Sequence, residues 1–264
     1  MGKIENRSDV IKRRLRQMAE MAEKRNDFLK NSTQVIYTDW YIRIRGEDFR
    51  AVSLNDNTPL FGFVSTGAKR INTIINHFKA GGPQLSKKEN IPERRIQCWL
   101  IKQALKRNYD LMTVLKLNKN YYDDLLFALD EVSLGDQNNK PIIRCDILAV
   151  GSKNGISFPV LIELKSERSN KLINQLDGFC DEIKIYSNEF KYLLEKCSIR
   201  NINISKTKKM IVWPKLKKEQ VQSQTYKTYQ DNKIDIVEYD WDHNKDINKI
   251  KFKFVPFQRE KRDL

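Results

Sequence analysis

The sequence predicts an α/β chain: a mixed β-sheet flanked by helices, with an N-terminal α+β extension and a C-terminal β-hairpin. Three observations carry this. Strand-like runs rich in apolar and β-branched residues follow one another mid-chain: LLFALDEVSL (125–134), PIIRCDILAV (141–150) and FPVLIELKS (158–166). Amphipathic helical stretches stand before and after them, near 92–107 and 170–196. Two more strand-like runs, IDIVEYDW and KIKFKFV, close the chain. Three regions result: 1–84, 85–220 and 221–264.

The N-terminal residues 4–30 read as a basic helix whose apolar stripe is Val10, Ile11, Leu15, Met18, Met21 and Ala22. A solvated helix packed along one stripe is the plain interpretation, and a DNA-contacting arm the sharper one. From Gln34 to Val64 the pattern turns strand-like (VIYTDWYIRIR, FRAVSL, LFGFV). Arg43, Arg45 and Arg50 there lie among Trp40, Tyr41 and Phe49, a mixture able to stack on and neutralise a nucleic-acid strand. The same mixture also suits a half-buried sheet with a basic face. Ser65 caps a helix with Ile71, Ile74, Ile75 and Phe78 on one face, and Gly81-Gly82-Pro83 ends that unit. Substrate recognition or dimerisation is assigned to this region, and a homodimer is a candidate state.

The next helix starts at Pro92, a residue suited to a first helical turn, with Ile96, Trp99, Leu100, Ala104 and Leu105 on its apolar face. GDQNNK connects the first two mid-chain strands as a hairpin. After the third strand a single long helix carries Leu172, Ile173, Leu176, Phe179, Ile183, Tyr186 and Phe190. KMIVW (209–213) is a further short strand.

Composition narrows the chemistry. The 264 residues hold 49 Lys plus Arg against 34 Asp plus Glu, a formal +15 that points to a polyanionic partner, nucleic acid being the usual one. Only His77 and His243 are available, so phosphodiester chemistry here would need carboxylates, lysine and a hard cation in place of histidine. Both histidines read as structural or surface residues. Cys98, Cys145, Cys180 and Cys197 have no zinc-ligand spacing and form no disulfide framework, which fits a reducing cytoplasm. No signal peptide or membrane span is expected, and the lack of a P-loop or dinucleotide glycine fingerprint argues against a nucleotide cofactor. The charge is uneven: 85–120 and 196–218 are strongly basic, while 121–150 is net acidic. A cation site beside a phosphate-tracking groove has this layout, with Lys206, Lys208, Lys209 and Lys215 as phosphate contacts.

The acidic stretch leads into the informative residues. Asp146 lies in the second hairpin strand, and Glu163 and Lys165 lie one residue apart in the next. Side chains alternate along a strand, so Glu163 and Lys165 project the same way while Val160, Ile162 and Leu164 face the core. Adjacent strands place Asp146 beside Glu163. Two carboxylates repel unless a cation joins them, and Mg²⁺ takes oxygen ligands while keeping waters and substrate phosphate in its shell. Such an ion polarises a phosphoryl group, and a nearby ammonium orients the attacking water and stabilises the transition-state charge. Taken singly, each residue is more often an ordinary ion-pair member on an exposed strand face. Asp123-Asp124 and Asp130-Glu131 read as solvated loop or strand-edge carboxylates, with an outer metal contact from Asp124 or Asp130 as the alternative.

Asp146 followed by Glu163-Leu164-Lys165, in helix, hairpin, strand, helix order, resembles the PD-(D/E)XK nuclease superfamily over about residues 89–213. Cys145 stands where that motif's proline would be. The resemblance implies a restriction-endonuclease-like core in which Asp146, Glu163 and the Leu164 carbonyl hold Mg²⁺, with Mn²⁺ able to substitute. Lys165 would position the attacking water. It also implies a carboxylate on the preceding helix, for which Glu93 is the candidate and Glu89 the alternative, and a helical Gln that arranges the site, matched by Gln175. The function so implied is a Mg²⁺-dependent DNA endonuclease, a phosphodiester hydrolase leaving 5′-phosphate and 3′-hydroxyl ends, in restriction, phage defence or DNA repair. A non-catalytic nucleic-acid-binding module on the same fold and an RNA-directed nuclease are the alternatives. A basic scaffold without nucleic-acid affinity is a third.

Overall fold

The computed structural model describes residues 6–31, 35–37, 42–44, 47–48, 92–134, 143–166, 172–197, 199, 201–215, 223–242 and 246–255. Helix α1 (Arg7–Asn31) buries Ile11, Leu15, Met18 and Ala22 of the expected stripe together with Ala19, while Val10 is half-buried. Strands β1 (Val35–Tyr37), β2 (Ile42–Ile44) and β3 (Glu47–Asp48) form a small antiparallel sheet of their own. The expected strands FRAVSL and LFGFV, the helix after Ser65, His77, Arg45, Glu89 and the side chain of Arg43 lie outside the described residues.

The main sheet has six strands in chain order: β4 (Asp124–Leu134), β5 (Ile143–Lys153), β6 (Ile156–Leu164), β7 (Lys208–Pro214), β8 (Ile234–Asp240) and β9 (Lys251–Val255). The first three run antiparallel, β6, β7 and β8 run parallel, and β9 returns antiparallel. Parallel neighbours need a crossover that carries the chain back. Helices α3 (Leu172–Ile185) and α4 (Ser187–Lys196) supply the first, and α5 (Ser223–Asp231) the second. Helix α2 (Pro92–Leu105) precedes the sheet, as its apolar face predicts.

Three features differ from the sequence expectation. The single helix 170–196 is two helices meeting at Tyr186, whose φ of −105° and ψ of 38° leave the helical region. The hydrogen bonds Tyr186 N→Glu182 O and Phe190 N→Tyr186 O, both 2.9 Å, continue across the joint. It is therefore a kink, and the apolar rhythm runs through because Phe179, Tyr186 and Phe190 feed one core. The C-terminal hairpin pairs as expected, but β8 also pairs with β7, so it completes the main sheet. Helix α5, with only Tyr226 and Tyr229 as large apolar residues, has too sparse a pattern to read from sequence. Both tyrosines pack edge-on against the buried Trp213, with ring centroids 5.8 and 4.9 Å away.

The β5–β6 connection is a tight turn through Asn154-Gly155, with φ of 51° and 73°. Two consecutive positive φ values define the two-residue turn that Asn-Gly favours, because it matches the twist of the flanking strands. The turn sets the register that runs from Lys153↔Ile156 to Ile147↔Ile162. Cross-strand partners share a sheet face. Glu163 pairs with Ile211, so it shares a face with Lys209 and Trp213, which meet α3 and α5 through Asp177 and the two tyrosines. Helix α2 packs on the other face, where Trp99 stacks on Phe252.

At the turn end of the sheet, buried Tyr122 donates a hydrogen bond to Asp235, and the Lys208 ammonium lies 4.5 and 4.8 Å from the ring centroids of Tyr122 and Phe158. Burial raises the Asp235 carboxyl above its usual range, against the pull of Tyr122 and Lys208. A carboxyl that holds its proton more tightly in the folded than in the unfolded state costs stability as pH rises through that interval. Asp235→Asn removes this dependence. The stability of the wild type relative to Asp235→Asn is therefore expected to fall as pH rises above about 4, the ordinary carboxylate value, measured by urea midpoints. Gly151 nearby leaves no room for a side chain, since a Cβ would lie 2.9 Å from Phe158 and 3.0 Å from Tyr122. Gly151→Ala is expected to cost about 1–3 kcal/mol in urea unfolding.

Candidate active site

The site forms where the β5–β6 ladder stops. Ile147↔Ile162 is the last pair, and the next residues on the two strands are Asp146 and Glu163. From there β6 stays with β7, as Lys165 N→Val212 O (2.9 Å) shows, while β5 parts from it. The amide of Leu164 is met by the Asp146 carboxylate instead of a strand carbonyl (Leu164 N→Asp146 Oδ2, 2.7 Å). The β5 carbonyls of Asp146 and Arg144 accept from two glutamines on opposite faces: Gln97 of α2 at 2.9 Å and Gln175 of α3 at 3.1 Å. Buried backbone oxygens that lose their ladder partners need such replacements.

Glu163 is 2% exposed. Its Oε1 accepts from Lys165 Nζ at 2.8 Å and from Gln175 Nε2 at 2.9 Å. Its Oε2 is buried and has no hydrogen-bond partner. Burial raises the Glu163 carboxyl, against the lowering effects of Lys165, Gln175 and the Asp146 backbone. For Lys165, burial pulls the ammonium down, but Glu163, Asp146 and Glu93 outweigh it and the net shift is upward. The lysine is therefore held as a cation at neutral pH.

Glu93 reaches the same place from α2 but spends Oε1 on the turn after β6, accepting from Ser166 N (2.7 Å) and Ser166 Oγ (3.0 Å). Tyr239 of β8 donates to the Lys165 carbonyl at 3.0 Å. Gln97, Ser166 and Tyr239 were not picked out from the sequence. Gln97 carried a signal, being one helical turn after Glu93, and Ser166 adjoins Lys165. Tyr239 carried none, because its strand is far away in the chain.

The structure thus brings together Asp146, Glu163, Leu164, Lys165 and Gln175, with Glu93 at their margin. The lysines of 206–215 divide differently. Because β7 runs parallel to β6 with Lys208 beside Val160 and Lys209 beside Leu161, the two lie four and three residues, roughly 13 and 10 Å, from the level of Leu164. Lys209 is bonded to Asp177 at 2.6 Å, Lys208 covers two rings, and Lys206 is exposed just before β7 on a short 3₁₀ turn. Lys215, exposed and 3.7 Å from Asp240, is at the site's end of β7. Asp123 binds Lys153 and Asn154 N at the turn end of the sheet, beside exposed Asp124. Buried Asp130 pairs with Ile147 and so faces away from the Asp146 side.

Among the described residues, no group of three or more His, Cys, Asp or Glu side chains is placed to hold a metal. A cation here would rest on two carboxylates and a backbone oxygen, with water or substrate completing its shell. The donor set fits a hard ion. Glu163 offers an orphaned buried oxygen, and the Leu164 carbonyl points to the same side as its N–H, toward Asp146. Cys145 is no competitor: burial raises its thiol, which donates to the Ile147 carbonyl at 3.1 Å.

Comparison with family models, with curated proteins and with solved structures gave no match. No helix among the described residues is long and apolar enough to cross a membrane. Gln175→Leu, which deprives Arg144 O and Glu163 of a buried donor, is expected to cost about 1–3 kcal/mol, read from urea midpoints.

Proposed function

We propose that the chain is a Mg²⁺-dependent DNA endonuclease of the PD-(D/E)XK type, with a restriction-endonuclease-like core. One observation carries this: the buried, unpartnered Oε2 of Glu163 lies at the parting of two strands, opposite Asp146, while a lysine cation occupies its other oxygen. An orphaned carboxylate oxygen in the interior is costly unless something positive meets it. The helix, hairpin, strand, helix order around these residues supports the same assignment, and so does the +15 charge, which suits a polyanionic substrate.

Asp146, Glu163 and the Leu164 carbonyl would hold the ion, Mn²⁺ being an acceptable substitute. When bound, Mg²⁺ polarises the scissile phosphoryl group and makes water a better nucleophile. Lys165, kept protonated by its acidic neighbours, donates a hydrogen bond that orients the attacking water and offsets charge building on the phosphate. Gln175 keeps Glu163 facing Lys165. Lys215, at the same end of the sheet, is placed for a substrate phosphate. Restriction, phage defence or repair in the cytoplasm is the setting this activity suits. That no group of three acidic side chains is placed for a metal among the described residues favours a second reading, a nucleic-acid-binding module that has the fold without the chemistry.

The test is digestion of a long duplex, a single strand and an RNA with purified protein. Cleavage of DNA with Mg²⁺, arrest by EDTA, and a loss of about 10²-fold or more in Lys165→Ala and in Glu163→Ala are expected. Salt-sensitive binding without cleavage supports the binding module, and preference for RNA moves the substrate assignment.

A further inference from the structure

We infer that Gln97 and Glu93 form a positioning clamp that sets the spacing of the two metal-holding strands, and that Glu93 is not itself a ligand. This rests on the metal-site assignment above. The two residues are one turn apart on α2, so they present side chains on one face about 5–6 Å apart. Gln97, 4% exposed, donates to the Asp146 carbonyl on β5 at 2.9 Å. Glu93 accepts both Ser166 donors just past β6. One rigid helix therefore grips β5 one residue beyond the last ladder pair and the segment after β6 four residues beyond it. This bridge acts with the Leu164 N–Asp146 Oδ2 bond and with Gln175, which joins Arg144 O to Glu163, in setting the distance between Asp146 and Glu163.

Clamping of the backbone matters because the site is short of side-chain ligands. With two carboxylates and a carbonyl, affinity depends on holding three oxygens at fixed separation, and partners that orient ligands contribute strongly to such sites. Gln97 acts through Asp146, and Glu93 acts through Ser166 on the segment carrying Lys165. Glu93 Oε1 is occupied by the two Ser166 donors, the geometry of an acceptor locking a turn.

Titration of the full chain with Mn²⁺ alone, followed by calorimetry, tests this without reference to cleavage. Gln97→Met, similar in size but without a donor, is expected to weaken Mn²⁺ binding by about tenfold or more. Glu93→Gln keeps an acceptor for Ser166 and is expected to retain wild-type affinity, whereas Glu93→Ala is expected to weaken it. Loss of binding in Glu93→Gln as severe as in Glu163→Gln would make Glu93 a ligand and overturn the clamp. Unchanged affinity in Gln97→Met overturns it too. Should Gln97→Met fail to fold, Glu93→Ala, which removes the acceptor of both Ser166 donors, reads the other arm, and unchanged affinity there is equally fatal. In both cases the metal-site assignment stands, provided that the wild type binds and Glu163→Gln does not. A wild type that binds no Mn²⁺ instead removes that assignment, and the clamp with it.

Discussion

The interruption of one antiparallel ladder, after Ile147↔Ile162, is the constraint on which the candidate site depends. Had β5 and β6 paired one step further, the Leu164 amide would meet a strand carbonyl and Asp146 would be one more side chain on a closed sheet. Because the strands part, three backbone groups need new partners, and side chains provide them: Asp146 for the Leu164 amide, Gln97 and Gln175 for the carbonyls of Asp146 and Arg144. Two helices on opposite faces are pinned to the parting in this way. The hydrogen bonds that relieve an opened sheet also orient the carboxylates.

The electrostatics follow from burial at this point. Glu163 is nearly inaccessible, yet one of its oxygens is left without a partner beside a lysine whose charge its acidic neighbours reinforce. A fold selected only for stability would fill this place with an apolar residue, since a half-satisfied buried carboxylate is worse than none. The far end of the same sheet shows the contrast. There Asp235, Tyr122 and Lys208 satisfy one another, and the cluster reads as packing.

Much of this was legible in the chain. Strand alternation put Glu163 and Lys165 on one face, and the apolar rhythm located α1, α2 and all six main strands to within a few residues. The expectation of one core side for β6 did not hold, because Leu161 and Glu163 are as buried as Val160 and Ile162. The Asn154-Gly155 turn was equally readable, since that dipeptide favours a two-residue hairpin turn. The kink at Tyr186 was not readable, because periodicity records which face is buried and is blind to a one-residue change of direction. Helix α5 escaped because its stability comes from Trp213, a residue on another element. The cluster of lysines in 206–215 suggested a single basic surface, but a strand extends by about 3.3 Å per residue, so neighbours in sequence ended at opposite ends of β7.

By itself the sequence determined the elements and the chemical types: two carboxylates and a lysine at strand spacing, almost no histidine, and a basic excess. These are properties of local periodicity and composition, and they survive whatever the chain does elsewhere. Only the tertiary structure decided where the ladder ends, which oxygen of Glu163 is left over, and that Gln97, Ser166 and Tyr239 attend the site. Those facts depend on hydrogen-bond partners drawn from distant parts of the chain. Such pairing is set when the helices dock on the sheet and has no trace in the spacing of residues along it.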